Sequence, residues 1–431
     1  MKTKCLPTTD ADIAMKRAFL VLLLTSVASG VSAQANRIDI VRPDAPELAA
    51  FGALDIGVRT LVVTDPGRPD VLHARAGEPV PTYDRSLTVE VWYPAALAPG
   101  QAPGTQYTTI TRNPDIMATL TGRAVRDAAA SDGGPYPLVI ISHGYPGNRY
   151  LMSHLGENLA SKGYVVASID HEGSTYDDQQ AFGVTLYNRA PDQRAVLDAM
   201  AGFGADANHF LYGVVDADHT GVIGYSMGGY GLVNNLGAGY SEAGVTYSSA
   251  PPDRLLDDLA ADNPEYRRSL DPRIKAGIPI GAWGMQQGFW DAEGLAGLTV
   301  PALFVAGDAD GVAGYEGGVR AIYDGAINSD RYLLVFKNAS HNAGAPIPLP
   351  VEFLDAADPQ GSSHYTDAVW DNVRMNNVLQ HFATAFLDLH LKGVDDMRSY
   401  LDVPEDGADA GQDGWKGFAG RGAVGLMMYH D

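Results

Sequence analysis

The chain has 431 residues, 45% of them hydrophobic and 19% charged, enough for a large core in one domain with insertions. A formal net charge of -22 argues against nucleic acid or an anionic membrane as partner. The single cysteine is Cys5, so past it the chain has no thiol nucleophile, disulfide or cysteine-based metal site.

Residues 1–14 read as an upstream extension. Met15-Lys16-Arg17 is a basic start, Ala18 to Val27 is almost wholly apolar, and Val31-Ser32-Ala33 has small residues. That is the pattern of a secretory signal peptide, cleaved after Ala33 or Ala35 and too short for a stable membrane anchor. The expectation is a secreted or periplasmic protein, with residues 34–431 as its single domain and Cys5 removed.

Asn36 to Leu54 is Pro-rich and polar, as in an extended arm. Val58–Val63 reads as a strand closed by Asp65-Pro66-Gly67, and Ser86–Tyr93 alternates with period two up to Pro94. The two predict an antiparallel pair at a sheet edge. Residues 95–134 form a Gly, Pro, Ala and Thr-rich excursion with one short helix near Ala118 to Ala130. Then the pattern changes. Tyr136–Ile141, Tyr164–Ile169, Thr220–Gly224, Lys275–Ile280, Pro301–Ala306 and Tyr332–Phe336 are short apolar runs, the mark of strands buried on both faces. Helical spacing appears at Leu151, Leu155 and Leu159 (closed by Gly163), over Arg194–Met200 and over Asp371–Leu391. Strands alternating with helices predict an α/β fold: a mainly parallel central sheet, antiparallel N-terminal edge strands and helices on both faces. Two long connections, 237–271 and 342–370, are candidate lids over the carboxyl edge, where such sheets bind ligands.

The stretch Gly224-Tyr225-Ser226-Met227-Gly228 sits between a β-branched run and a helical one. A serine at so sharp a turn needs glycines on both sides, and the following helix aims free N–H groups at what the serine attacks. Ser226 is therefore the candidate nucleophile. It needs a base, and the base needs an orienting acid. Gly307-Asp308-Ala309-Asp310 and Ala339-Ser340-His341 each follow a buried strand, so the order is Ser226, Asp310, His341. Asp310 is preferred to Asp308, which is better placed to brace its loop, and His364 is the rival to His341. The backbone N–H groups of Met227 and Tyr145 are the candidate oxyanion donors. His143 reads as a structural histidine of the same loop. Asp170-His171-Glu172 lacks metal-ligand spacing, and His171 braces a loop or lines the pocket rim. Trp283 and Trp290 are candidates for an aromatic pocket wall. No residue set calls for a cofactor or a metal.

Trp92-Tyr93-Pro94, Ser142-His143-Gly144-Tyr145, Gly224-Tyr225-Ser226-Met227-Gly228-Gly229, Gly307-Asp308-Ala309-Asp310 and Ala339-Ser340-His341 occur in this order. The set resembles bacterial α/β-hydrolases of the platelet-activating-factor acetylhydrolase-like, or predicted dienelactone hydrolase, group, from about Val58 to about Gly393. The resemblance implies the α/β-hydrolase fold and a cofactor-free serine esterase acting on small-molecule or polymeric esters. The Tyr145 and Met227 pairing is also similar to that of cutinase-like polyester hydrolases. True dienelactone hydrolases differ in using a cysteine nucleophile. A peptidase or amidase on the same residues, and a binding protein on a hydrolase fold, are the other readings.

Overall fold

The computed structural model describes residues 36–408 and 414–431, so the leader expectation lies outside the described residues. Eleven strands form the main sheet. Six of them lie side by side and parallel: Arg331–Phe336, Ala302–Gly307, Ile274–Ile280, Val215–Tyr225, Tyr136–Ser142 and Val165–Asp170. Every one ends in the same direction, so the loops after them share one edge of the sheet.

The apolar runs form strands because both faces are covered. Val139, Ile141, Ile223 and Ile278 pack on one side with the helices Ser153–Ala160 and Asn372–Lys392. Leu138, Ile140 and Val222 pack on the other with Phe182–Ala205 and Met227–Asn235. The helix Asn372–Lys392 is capped by the Asp371 side chain at its start and by Gly393, at φ 65, at its end.

At one side Thr82–Ala96 pairs antiparallel with Val165–Asp170 and with Asp55–Pro69. The expected hairpin pair is present and longer than expected. Asp65-Pro66-Gly67 does not end its strand; the register slips there and pairing resumes at Arg68. The helix expected near Ala118 is replaced by strands. Met117–Thr121 pairs with Gln106–Ile110, and Val125–Arg126 and Ala129–Ala130 join the main sheet. Met117 to Thr121 alternates exposed and buried, a period of two that a helix would not use. Asn36 to Leu54 is no free arm: Asn36–Arg37 pairs with Met117–Thr121, and Ile38 and Ala49 are buried. At the other side Leu426–His430 adds an antiparallel edge strand beside Arg331–Phe336, beyond the last sequence assignment. Among the described residues no helix is long and apolar enough to cross a membrane.

Candidate active site

The strand Val215–Tyr225 delivers Ser226, and the helix Met227–Asn235 begins on the next residue. Ser226 sits at φ 53 and ψ -112, a backbone state that costs an L-residue roughly 1–3 kcal/mol. A Cβ on Gly224 would lie 2.3 Å from the Gly228 carbonyl oxygen, and one on Gly228 would lie 2.0 Å from that of Ser142. Only glycine permits this turn. The Ser226 N–H donates to the Ile280 carbonyl at 2.8 Å, tying the turn to the neighbouring strand.

His341 Nε2 lies 2.9 Å from Ser226 Oγ, and its Nδ1 lies 2.7 Å from Asp310 Oδ2. A carboxylate on Nδ1 keeps the proton there and leaves Nε2 free to accept from the serine. The other Asp310 oxygen accepts the Val312 and Ala313 N–H groups at 2.7 and 2.9 Å. Burial opposes the Asp310 charge. The hydrogen bond and charge of His341, with those two N–H groups, outweigh it and hold the carboxyl below its usual range. Asp308 instead accepts the Asn338 N–H and braces the loop. The loop carrying His341 has a further anchor that no sequence motif marks. Asp367 accepts both the N–H and the hydroxyl of Ser340 at 2.7 Å, and the N–H groups of Val369 and Trp370. His364 is not hydrogen-bonded to Ser226; its Nε2 lies 2.8 Å from the Tyr176 hydroxyl.

Met227 opens its helix, so its N–H has no carbonyl within the helix to bond. The loop with Tyr145 comes close, since a Cβ on Gly144 would lie 3.2 Å from Ser226 Cβ. His143 holds that loop: its Nδ1 donates to the Gly144 carbonyl at 2.6 Å and its Nε2 accepts the His171 N–H. Arg189 donates to the His143 carbonyl at 2.7 Å. His171 is 1% exposed and does not reach the pocket rim. Its Nε2 accepts from Ser142 Oγ at 2.8 Å, and its Nδ1 donates to Asp192 at 2.9 Å. Arg85 and Arg68 complete the shell of Asp192. Burial would raise the Asp192 pKa, but Arg85, His171 and Arg68 keep it well below the usual carboxylate range.

A family model described as "PETase: PET hydrolase-like" matches residues 121–242, which include Tyr145 and Ser226 but not Asp310 or His341. Cutinase est1 of Thermobifida alba is 28% identical over 213 residues, 49% of this chain and 55% of the cutinase. A bis(hydroxyethyl) terephthalate hydrolase of Streptomyces coelicolor is 25% identical over 221 residues, 51% of this chain and 55% of that protein. The chain therefore spans about half the length of these curated relatives. A solved ferulic acid esterase of Streptomyces cinnamoneus superposes with a TM-score of 0.53 at 23% identity, over 81% of this chain and 94% of that one. The fold is the α/β-hydrolase fold.

Within this fold the serine opens on a groove of about 410 Å³. Its walls include Tyr145, Tyr225, Val312, Asn342, Gln360, Ser363 and His364, together with Arg112 from the excursion before the first parallel strand. The 342–370 stretch thus forms one wall, and Asn342 pins it by donating to the Ser363 and Thr366 carbonyls at 2.7 and 2.9 Å. No residue of the 237–271 stretch lines this groove. That stretch is fastened to the helix behind the nucleophile, with Tyr240 stacked on Tyr230 and Tyr266 donating to the Asn234 carbonyl at 2.6 Å.

Trp290 is not a pocket wall. It is 2% exposed, packs among Tyr230, Tyr240 and Phe289, and donates to the Ala238 carbonyl at 3.0 Å. Trp283 does not line the groove either, although it lies beside the nucleophile: its backbone N–H donates to the Ser226 carbonyl, and its ring meets Phe182, which meets Tyr145. Among the described residues no group of three or more His, Cys, Asp or Glu is placed to hold a metal ion.

Proposed function

We propose that the protein is a serine hydrolase that cleaves carboxylic esters through an acyl-enzyme. One observation carries the reading. His341 bridges Ser226 and Asp310 at 2.9 and 2.7 Å, at the floor of an open groove. His341 takes the Ser226 proton as Oγ attacks the ester carbonyl, and Asp310 stabilises the imidazolium that forms. The oxyanion is held by the N–H groups of Met227 and Tyr145. His341 then protonates the leaving alcohol, and later activates the water that releases the acid. The names of the relatives, cutinase and bis(hydroxyethyl) terephthalate hydrolase, support ester chemistry.

The test is a series of 4-nitrophenyl esters from acetate to octanoate, set against aminoacyl 4-nitroanilides. Ester turnover with a broad acyl optimum is expected, because one methylene in an apolar pocket is worth only about 1–3 kcal/mol. Amides cleaved faster than esters would replace this reading with a peptidase. The match to the PET hydrolase-like model favours a second reading, attack on polyesters, to be read as soluble acid released from polyester film.

Two finer assignments go with the proposal. The motif order supports the acetylhydrolase-like group, and a 2-acetyl phospholipid cleaved no faster than a simple acetate would remove it. The apolar run Ala18 to Val27 and Val31-Ser32-Ala33 support a secreted or periplasmic enzyme, to be checked by N-terminal sequencing of the mature protein.

A further inference from the structure

We propose that the groove selects esters that carry a carboxylate, and that Arg112 holds that carboxylate. The inference rests on the hydrolase reading above and names its substrate class.

The groove is unlike the rest of the molecule. The chain has 52 acidic residues against 30 Lys and Arg, yet no Asp or Glu lines the groove of Ser226. Arg112 does line it, half-buried. Its backbone N–H donates to the Tyr365 hydroxyl at 2.9 Å, which fixes where the side chain starts. Its guanidinium has no hydrogen bond, ion pair or ring contact among the described residues. By contrast Arg37, Arg68, Arg85, Arg126, Arg149 and Arg254 all meet carboxylates.

The groups on which the Arg112 charge acts are neutral, and the Asp310 carboxylate, which also acts on Tyr225, is engaged by His341 and two backbone N–H groups. The Arg112 charge acts on His364, Tyr176, Tyr225 and Tyr365. Burial, then Arg112 and His341, push the His364 pKa down to about 3, and burial pushes the three phenols up, so none supplies a counter-charge near neutral pH. A cation drawn partly out of water without an anion is unfavourable until one arrives. The planar guanidinium fork matches a carboxylate through two parallel hydrogen bonds, which a neutral ester end cannot supply. The net charge of -22 repels anions at long range, but that field decays over about 8 Å at physiological ionic strength. Selection therefore acts in the bound complex, not in the encounter.

The experiment compares matched pairs. Mono-4-nitrophenyl adipate is set against 4-nitrophenyl hexanoate, which tests a carboxylate on the acyl side. The 4-acetoxybenzoate anion is set against its methyl ester, which tests the alcohol side. In at least one pair the ratio of kcat/KM, anion over neutral, should fall tenfold or more in Arg112→Gln and be partly restored in Arg112→Lys. Ratios unchanged by Arg112→Gln in both pairs overturn the inference. A measurement on the unaltered enzyme covers the case of a variant that does not fold. Benzoate should inhibit hexanoate ester turnover competitively with a Ki at least tenfold below that of benzamide, and equal Ki values overturn the inference. Turnover of neutral esters without either effect sinks this inference alone. No turnover of any ester sinks the hydrolase reading and this inference with it.

Discussion

Ser226→Ala should lower kcat for 4-nitrophenyl butyrate by about a million-fold, the scale on which losing a triad serine removes nucleophilic catalysis. The fold should persist, because Ser226 Oγ makes one hydrogen bond, to His341, and the Ser226 N–H still reaches the Ile280 carbonyl. A companion variant separates catalysis from strain. At φ 53 and ψ -112 the serine holds a conformation that glycine adopts freely. Ser226→Gly should be equally inactive yet more stable than Ser226→Ala by about 1 kcal/mol, after allowing for glycine's greater freedom in the unfolded chain. Urea melts of the two variants would show it. Retained esterase activity in either would remove Ser226 as the nucleophile, and equal midpoints would mean the turn stores no strain.

Acid should unfold the protein unusually early for its carboxylate content, through histidines. His143, His154, His171 and His381 are each 1% exposed or less. Burial is the largest cause of the shift in all four, pushing His154 to about 4, His171 and His381 to about 3, and His143 well below its usual value. The unfolded chain takes up these protons below about pH 6.5, while the folded chain refuses them until near pH 4 or lower. Their stabilisation is therefore complete above pH 6.5 and is lost as pH falls from there toward 3. Each histidine contributes a slope of up to about 1.4 kcal/mol per pH unit, so the four together reach about 5 kcal/mol per unit. A domain stable by roughly 5–15 kcal/mol would be exhausted between about pH 4 and 5.5. Asp192 and Asp310, held below the usual carboxylate range, add to the loss below about pH 4. Urea midpoints at pH 7, 6 and 5 test this directly, and a flat series would refute it. His154→Gln should reduce the slope by about a quarter.

The fold was legible where the signal was local. Each parallel strand carries apolar residues at its centre, as in Leu138–Ile141 and Leu303–Ala306, and Gly224 and Gly228 mark the turn between strand and helix. The order Ser226, Asp310, His341 could be read because each residue follows such a run, and the structure brings the three side chains together. What escaped depends on distant partners. Met117–Thr121 is a strand because Gln106–Ile110 and Asn36–Arg37 flank it, and nothing within five residues announces that. Trp290 has the composition of a pocket wall, and only the Ala238 carbonyl 52 positions away makes it core. His171 likewise belongs to Asp192 and Ser142, on different elements. Arg112 stood in a segment without motifs, and its interest lies in the lack of a partner, which a sequence cannot display.

Ser142, His171 and Asp192 repeat, at 2.8 and 2.9 Å, the serine–histidine–aspartate connectivity of Ser226, His341 and Asp310. Among the described residues, side-chain geometry alone offers these two chains. The difference between them is access. Ser142 has no exposed surface, whereas Ser226 is 8% exposed at the floor of the groove. A fluorophosphonate should accordingly label the protein with a stoichiometry of one, and the modified peptide should contain Ser226. Two chains of the same hydrogen bonds would then divide the labour within one fold: one reacts, and the other fastens the loop beside it.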